Sequence, residues 1–274
     1  MRRRAVAYLI LTAVLWSTSG LLIKLISWQP LAILSGRSIV AAIVVAISLR
    51  GIVFRPTRLQ VAGALSFVAA QLLYIAAIKL TTAANAIFLQ YTAPVWVLLF
   101  GYWFLGERPQ RVDWFAMLAI FAGLFLFFGD DLSAGGLVGN VLAIASGIAL
   151  AALMVFMRTQ REGSPAQTFL LGHLIGAVVG LPWLLRETFS PSNLAIILFL
   201  GIIQMGLASI LYSIGIKYVP ALEATLILTL EPILNPVWVF LAIGETPGPL
   251  ALAGAALVLG AVVARAIVSA RAQT

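Results

Sequence analysis

A chain of 274 residues with 62% hydrophobic and 9% charged side chains is not an ordinary soluble domain, in which roughly 25% of residues are charged. Its formal charge of +8, from 17 Lys and Arg against 9 Asp and Glu, sits in short clusters between long apolar runs, the pattern of a multi-span membrane protein and not of a nucleic-acid binder. The absence of cysteine excludes disulfides, thiolate metal sites and cysteine nucleophiles.

The start, Met1-Arg2-Arg3-Arg4 and then an apolar run to Ile26, has the order of a signal peptide. The run exceeds an h-region of about 7–15 residues and lacks a small-x-small cleavage site, so it reads as an uncleaved first span. Ten helices are predicted at about 5–27, 30–49, 59–79, 84–105, 113–129, 136–158, 166–185, 194–216, 220–243 and 248–268. Most are near the ~20 residues that cross the hydrocarbon. Spanning segments must satisfy their own backbone bonds, and this much Leu, Ala and Ile favours helices over a barrel. The linkers are a few residues long, and no soluble domain is expected.

Basic residues set the orientation. With the N-terminus in the cytoplasm, thirteen of the seventeen fall on cytoplasmic ends: Arg2, Arg3, Arg4, Arg50, Arg55, Arg58, Arg108, Arg111, Arg158, Arg161, Lys217, Arg265 and Arg271. Lys24, Lys79 and Arg186 lie towards the outside with the acidic pair Asp130-Asp131, and Arg37 lies within a span. Both termini are therefore expected inside.

The stretch from Leu73 to Pro109 is written twice. Tyr74, Lys79, Ala86, Pro94, Gly106, Glu107 and Pro109 recur 138 residues later as Tyr212, Lys217, Ala224, Pro232, Gly244, Glu245 and Pro247. The chain divides into residues 1–132 and 133–274, five spans each. Five is odd, so the second copy inserts upside down. The Lys79 hairpin then turns outside and the Lys217 hairpin inside, while Glu107 caps a cytoplasmic end and Glu245 its mirror outside. Inverted repeats set a substrate site near the midplane and let the two sides open alternately; repeats can also persist as packing units alone. Gly135, Gly136, Gly139, Gly147, Gly201, Gly206, Gly254 and Gly260 read as surfaces where helices approach closely.

Candidate site residues follow from depth and polarity. Span 4 contains Gln90-Tyr91-Thr92-Ala93-Pro94, and span 9 contains Leu230-Glu231-Pro232 and then Asn235-Pro236. An interior proline removes one N–H and frees the carbonyl four residues back: Gln90 for Pro94, Leu228 for Pro232, Pro232 for Pro236. Freed carbonyls are tolerated at that depth against protein or a watery cavity, and kinks in mirrored positions point to a binding site.

Glu231 is costly at mid-depth, about 2.5 kcal/mol or more on insertion scales. It reads as a substrate-amine contact, a proton site or a protonated side chain bonded to a neighbouring helix; its mirror is Ala93. Arg37 suits a substrate carboxylate, or fixes packing through Glu231 or freed carbonyls. Aligning LSGR with LLGH makes His173 its counterpart, for which a structural hydrogen bond is favoured over a proton relay. Trp16-Ser17-Thr18-Ser19-Gly20, Gln71, Tyr74, Gln204, Ser209 and Tyr212 add polar and aromatic groups at comparable depth. Trp28 and Trp114 read as interfacial anchors. Trp16, Trp96 and Trp238 lie deeper, with core packing as the alternative. No GxSxG, HExxH or Walker lysine loop supports an enzyme, and one histidine without cysteine excludes most metal sites. No cofactor is expected.

The motifs LWSTSG with Lys24, LSGR, LTTAANAIFLQYTAPV, LGERP and KYVPALEATLILTLEPILNPVWVFLAIGETP resemble the EamA branch of the drug/metabolite transporter superfamily across essentially the whole chain. Within it the chain looks like the YddG group of bacterial exporters of aromatic and other amino acids and methyl viologen. The resemblance implies a ten-helix, all-α carrier of the bacterial inner membrane, with a central cavity walled by both repeats. Small multidrug relatives use a glutamate in span 1, where this chain has Trp16 and serines. Sugar-phosphate relatives use basic residues in later helices, where spans 8–10 hold Lys217 and Arg265 near helix ends. Both departures argue against those substrate types.

The expected function is export of amino acids or related small metabolites by alternating access. Trp16, Ser17, Arg37, Gln71, Tyr74, Gln90, Tyr91, Pro94, His173, Gln204, Tyr212, Glu231, Pro232, Asn235 and Trp238 would line the pathway. A cationic-drug exporter, a passive facilitator of the same fold and a membrane enzyme or scaffold are the alternatives. Lipid and a small-molecule substrate are the expected partners, nucleic acid is not, and a monomer suffices.

Overall fold

The structure is a computed structural model that describes residues 2–50, 56–106, 111–130, 134–159, 165–216, 218–219, 224 and 227–271, and among them every regular element is helical. The expectations for Arg55, Glu107, Arg108, Pro109, Asp131, Arg161 and Lys217 fall outside the described residues. The first predicted span is two helices, α1 (Arg2–Ser17) and α2 (Ser19–Leu25), bent at Thr18. There the Ser17 and Thr18 hydroxyls donate to the Val14 and Leu15 carbonyls at 2.7 Å each, the side-chain-to-backbone bonding that bends helices. Pro30 opens α3 (Pro30–Ser48), where its missing N–H costs nothing. A reciprocal Thr57–Gln60 capping box starts α4 (Arg58–Leu80). Thr82 accepts from the Asn85 amide at 3.1 Å to begin α5 (Ala83–Gln90).

The chain continues through α6 (Ala93–Leu105), α7 (Arg111–Asp130), α8 (Ala134–Thr159) and α9 (Pro165–Leu184). Then α10 (Pro191–Phe199) passes without a break through a π-helical turn, Leu200–Leu207, into α11 (Ala208–Gly215). The last described helices are α12 (Leu230–Ile243) and α13 (Pro249–Arg271). Gly106 and Gly244, the C-caps of α6 and α12, hold φ +67° and +71° with open space around them. Backbone handedness, and not crowding, requires glycine at both, and they stand at the repeat offset.

Among the described residues seven helices are long and apolar enough to cross a membrane: Arg2–Leu25, Pro30–Ser48, Arg58–Leu80, Ala83–Leu105, Gly136–Met157, Pro165–Leu184 and Pro191–Gly215. Asp113–Gly123, Leu230–Ile243 and Pro249–Ala264 are shorter apolar helices within the predicted spans 5, 9 and 10. The principal pairings are α4 with α8, α3 with α9, and α7 with α13. Glycines allow them: a Cβ at Gly180 would stand 2.1 Å from the Leu31 carbonyl, and one at Gly123 would stand 2.8 Å from the Gly254 carbonyl. Gly260 departs from the expected packing role, since a Cβ there meets nothing within 4 Å. Trp28 also departs from expectation. It is buried, stacks edge-on against Phe189 and donates to the Thr188 carbonyl at 3.0 Å, so its indole is satisfied by protein and not by an interface. Trp114 is 56% exposed, as an anchor would be.

Candidate functional site

The helix breaks come from proline. Tyr91-Thr92 separates α5 from α6, and a turn at Thr229, the repeat counterpart of Tyr91, precedes α12. Pro94 and Pro232 leave the Gln90 and Leu228 carbonyls without their usual N–H donors, and the two carbonyls find different surroundings. That of Gln90 faces protein: a Cβ on Gly147 of α8 would come within 2.8 Å of it. The Gln90 amide donates to Ser146 at 2.6 Å, and Ser146 donates to the Ala70 carbonyl at 2.7 Å, so Gln90 ties α5 to α8 and α4. The Leu228 carbonyl lies 3.1 Å from the Tyr91 hydroxyl of the first repeat. One break therefore reaches directly into the other.

Around that contact the two repeats share a polar cluster. Glu231 Oε2 lies 3.1 Å from the same Tyr91 hydroxyl. One helical turn on, Asn235, fully buried, donates to the Tyr74 hydroxyl at 3.1 Å and to Ser19 at 3.4 Å, and Ser19 and Tyr74 share a further bond of 3.4 Å. Trp238 continues the same face of α12 and donates to Ser17 at 2.8 Å. Gly20 makes this possible, because a Cβ there would stand 2.0 Å from the Asn235 amide. Pro232 is buried beside Glu231, and Pro94 sits half-buried at the start of α6.

Tyr74 is within electrostatic reach of both Arg37 and Glu231. The guanidinium is 1% exposed and donates through Nη2 to Gln71 at 2.5 Å, while Nη1 has no partner among the described residues. The packing alternative of an Arg37–Glu231 pair is not what forms. His173 makes no hydrogen bond from either ring nitrogen; its ring packs edge-on against Phe67 at 5.0 Å, which corrects the expected structural hydrogen bond. From Phe67 an aromatic chain runs through Phe169 and Tyr212 to Trp16, with centroid separations of 5.4, 6.4 and 5.4 Å. Gln204 sits in the π-helical turn, buried, with its carbonyl oxygen unpartnered. π-turns of this kind are frequent at functional sites.

A carboxyl, Glu231, and a guanidinium, Arg37, thus both act on the Tyr74 hydroxyl. Among the described residues no three His, Asp or Glu side chains gather as a metal group.

A second constellation, which the orientation reading used only as charge markers, closes one end of the bundle. Lys24 pairs with Glu245 at 2.9 Å, and Glu245 accepts from the Ala83 amide, the first of α5, at 2.7 Å. Lys24 also donates to the Thr81 carbonyl at 2.8 Å, and Lys79 donates to the Ile26 carbonyl. Each lysine thus caps the C-terminus of the other's helix. The signal available in sequence was the repeated glutamate of GERP and GETP.

Known proteins agree with this architecture. A crystal structure superposes over 97% of this chain and 99% of its own at a TM-score of 0.68 and 21% identity, a likeness of fold. An uncharacterized transporter of Archaeoglobus fulgidus is 30% identical over 69% of this chain and 69% of its own. The uncharacterized transporter YwfM of Bacillus subtilis is 26% identical over 69% of this chain and 66% of its own length. The threonine/homoserine exporter RhtA of Escherichia coli K12 is 27% identical over 70% of this chain, which spans 64% of that relative's length. The EamA-like transporter family matches residues 3–129 and again 137–265. A doubled, helical, apolar chain with polar groups gathered at its helix breaks is thus a multi-pass membrane transporter, and the chain belongs to the EamA-like transporter family.

Proposed function

We propose that this protein exports amino acids or closely related zwitterionic metabolites across a bacterial inner membrane, by alternating access between two inverted five-helix repeats. Ten spans cross the membrane, both termini are cytoplasmic, and the Lys24–Glu245 end faces outwards. The observation that carries the reading is the cluster of Tyr91, Tyr74, Asn235 and Glu231, with Arg37 in electrostatic reach of Tyr74, in which both repeats contribute to one partly buried polar site. A zwitterion presents an ammonium to Glu231 and a carboxylate to Arg37, whose Nη1 has no partner among the described residues. The exporter named among the relatives acts on threonine and homoserine, substrates of that chemical class.

The test is counterflow of radiolabelled threonine, homoserine and aromatic amino acids into proteoliposomes holding the purified protein. Arg37→Lys is expected to weaken amino-acid exchange at least tenfold, because the ammonium cannot reproduce the planar fork, while leaving exchange of the corresponding amines without a carboxylate little changed. No amino-acid exchange at all would overturn the reading. One observation favours a second reading, a cation exporter: no described basic side chain is bonded to Glu231. Exchange of organic cations without amino-acid exchange would select it.

A further inference from the structure

We propose that the Glu231 carboxyl binds a proton in this conformation, and that the single proton of the Tyr91 hydroxyl ties its charge to the broken helix. The inference rests on the reading of this cluster as the transport site, and it names the proton as an ion bound there.

The Tyr91 hydroxyl oxygen lies 3.1 Å from the Leu228 carbonyl and 3.1 Å from Glu231 Oε2. A phenolic hydroxyl has one proton to donate and lone pairs to accept. The Leu228 carbonyl has lost its helical donor to Pro232, so Tyr91 is its partner. With Glu231 ionised, one proton faces two acceptors, and either the carbonyl or the carboxylate stays unserved inside the bundle. With Glu231 protonated, its own O–H donates to the Tyr91 oxygen and Tyr91 donates to Leu228, and both contacts are satisfied together. Tyr91 and Glu231 are half-buried, so solvent only partly compensates an acceptor left without a protein donor here, and the geometry favours the neutral carboxyl.

The surroundings agree. The charged or titratable groups facing Glu231 among the described residues are Tyr91 from the α5–α6 break and Tyr74 from α4, with Arg37 of α3 in electrostatic reach of Tyr74. From α1 and α2 come Ser17 and Ser19, both already bonded to α12, by Trp238 and Asn235. Arg37 is held by Gln71 and Lys24 by Glu245, so neither neutralises Glu231. The repeat does not duplicate the device: Ala93 stands where Glu231 would be and Thr229 where Tyr91 would be.

The consequence is a switch. When the site opens to water, the Glu231 O–H bond breaks and the proton passes to water. The Tyr91 O–H then turns to the carboxylate, and the Leu228 carbonyl loses its partner across the repeats.

Infrared difference spectroscopy on purified protein in lipid nanodiscs, titrated with pH in the absence of substrate, tests this independently of transport. A carboxylic-acid carbonyl band that titrates in the wild type and vanishes in Glu231→Gln is expected. Tyr91→Phe retains the band but moves its midpoint by about one pH unit or more, the effect of removing one hydrogen bond to a charged group. Should Glu231→Gln fail to fold, Glu231→Asp is expected to keep a titrating band at a different frequency. Absence of a titrating band, its persistence in Glu231→Gln, or a midpoint unmoved in Tyr91→Phe would overturn the proposal. A titrating Glu231 in a protein that exchanges no amino acid would leave this inference standing while the substrate assignment fell.

Discussion

Replacing Glu245 by Gln keeps an oxygen to accept from the Ala83 amide, 2.7 Å away, and removes the charge that faces Lys24 at 2.9 Å. Both side chains are 20% exposed, so the pair belongs at the upper end of the surface range, about 1 kcal/mol. Replacement by Ala also orphans the first amide of α5, worth about 1 kcal/mol more. If this end of the bundle opens during transport, its open population rises about fivefold in Glu245→Gln and about thirtyfold in Glu245→Ala. The chain has no cysteine, so one introduced at Ser19, buried on α2 below Lys24, reports access without background. The rate of its modification by a membrane-impermeant thiol reagent, added from the Lys24 side, is expected to rise by those factors. Lys24→Met loses the Thr81 bond as well, yet the double variant with Glu245→Gln is expected to fall about 1 kcal/mol short of the summed single effects. Equal rates in the wild type and in a folded Glu245→Ala protein would refute the latch, as would strict additivity of the two singles.

Further outcomes concern packing and polarity. Asn235→Ala leaves the Tyr74 and Ser19 hydroxyls without their donor and is expected to cost about 1–2 kcal/mol, read as a lower unfolding midpoint in detergent. Gly180→Val drives a side chain into the Leu31 carbonyl and is expected to cost about 1–3 kcal/mol or to abolish folded yield. Gly260→Ala meets open space and gains up to about 1 kcal/mol of helix propensity; a loss of stability there would mean that this face is covered.

Much of the fold was legible because lipid allows few solutions. Apolar run length and the prolines marked the helices and their breaks, while Gly106 and Gly244, read in the sequence only as repeated positions, are αL caps. Side-chain partners were less legible. A span that is apolar on every side carries no hydrophobic stripe to say which face meets which neighbour. Glu231 was a natural partner for Arg37 by charge, yet the guanidinium faces Gln71 on α4. Gln90, suggested for the pathway by its place beside Tyr91, is turned towards Ser146 on α8. Lys24 and Glu245, 221 positions apart in the chain, meet at 2.9 Å because both helices end at the same level. Helix length was readable from residue count; azimuth around each helix was not.

The repeat separates what the backbone needs from what the chemistry needs. Features that recur at the offset are geometric: a break at Tyr91 and at Thr229, a proline at 94 and at 232, a glycine cap at 106 and at 244. Each repeat needs its own bend and its own stop, so selection for the fold keeps both. Of the polar groups in the cluster Tyr74 recurs, as Tyr212, but Glu231, Asn235 and Arg37 do not. Glu231 faces back to Ala93, Asn235 to Val97, and Arg37 to a histidine that packs on Phe67. A site shared by two repeats is filled once, so a second carboxyl or guanidinium at the mirrored position would be an unpaired charge in the bundle, at a cost of about 2.5 kcal/mol or more. The single-copy Glu231, Asn235 and Arg37 are therefore the part of the cluster that the repeated backbone does not itself require.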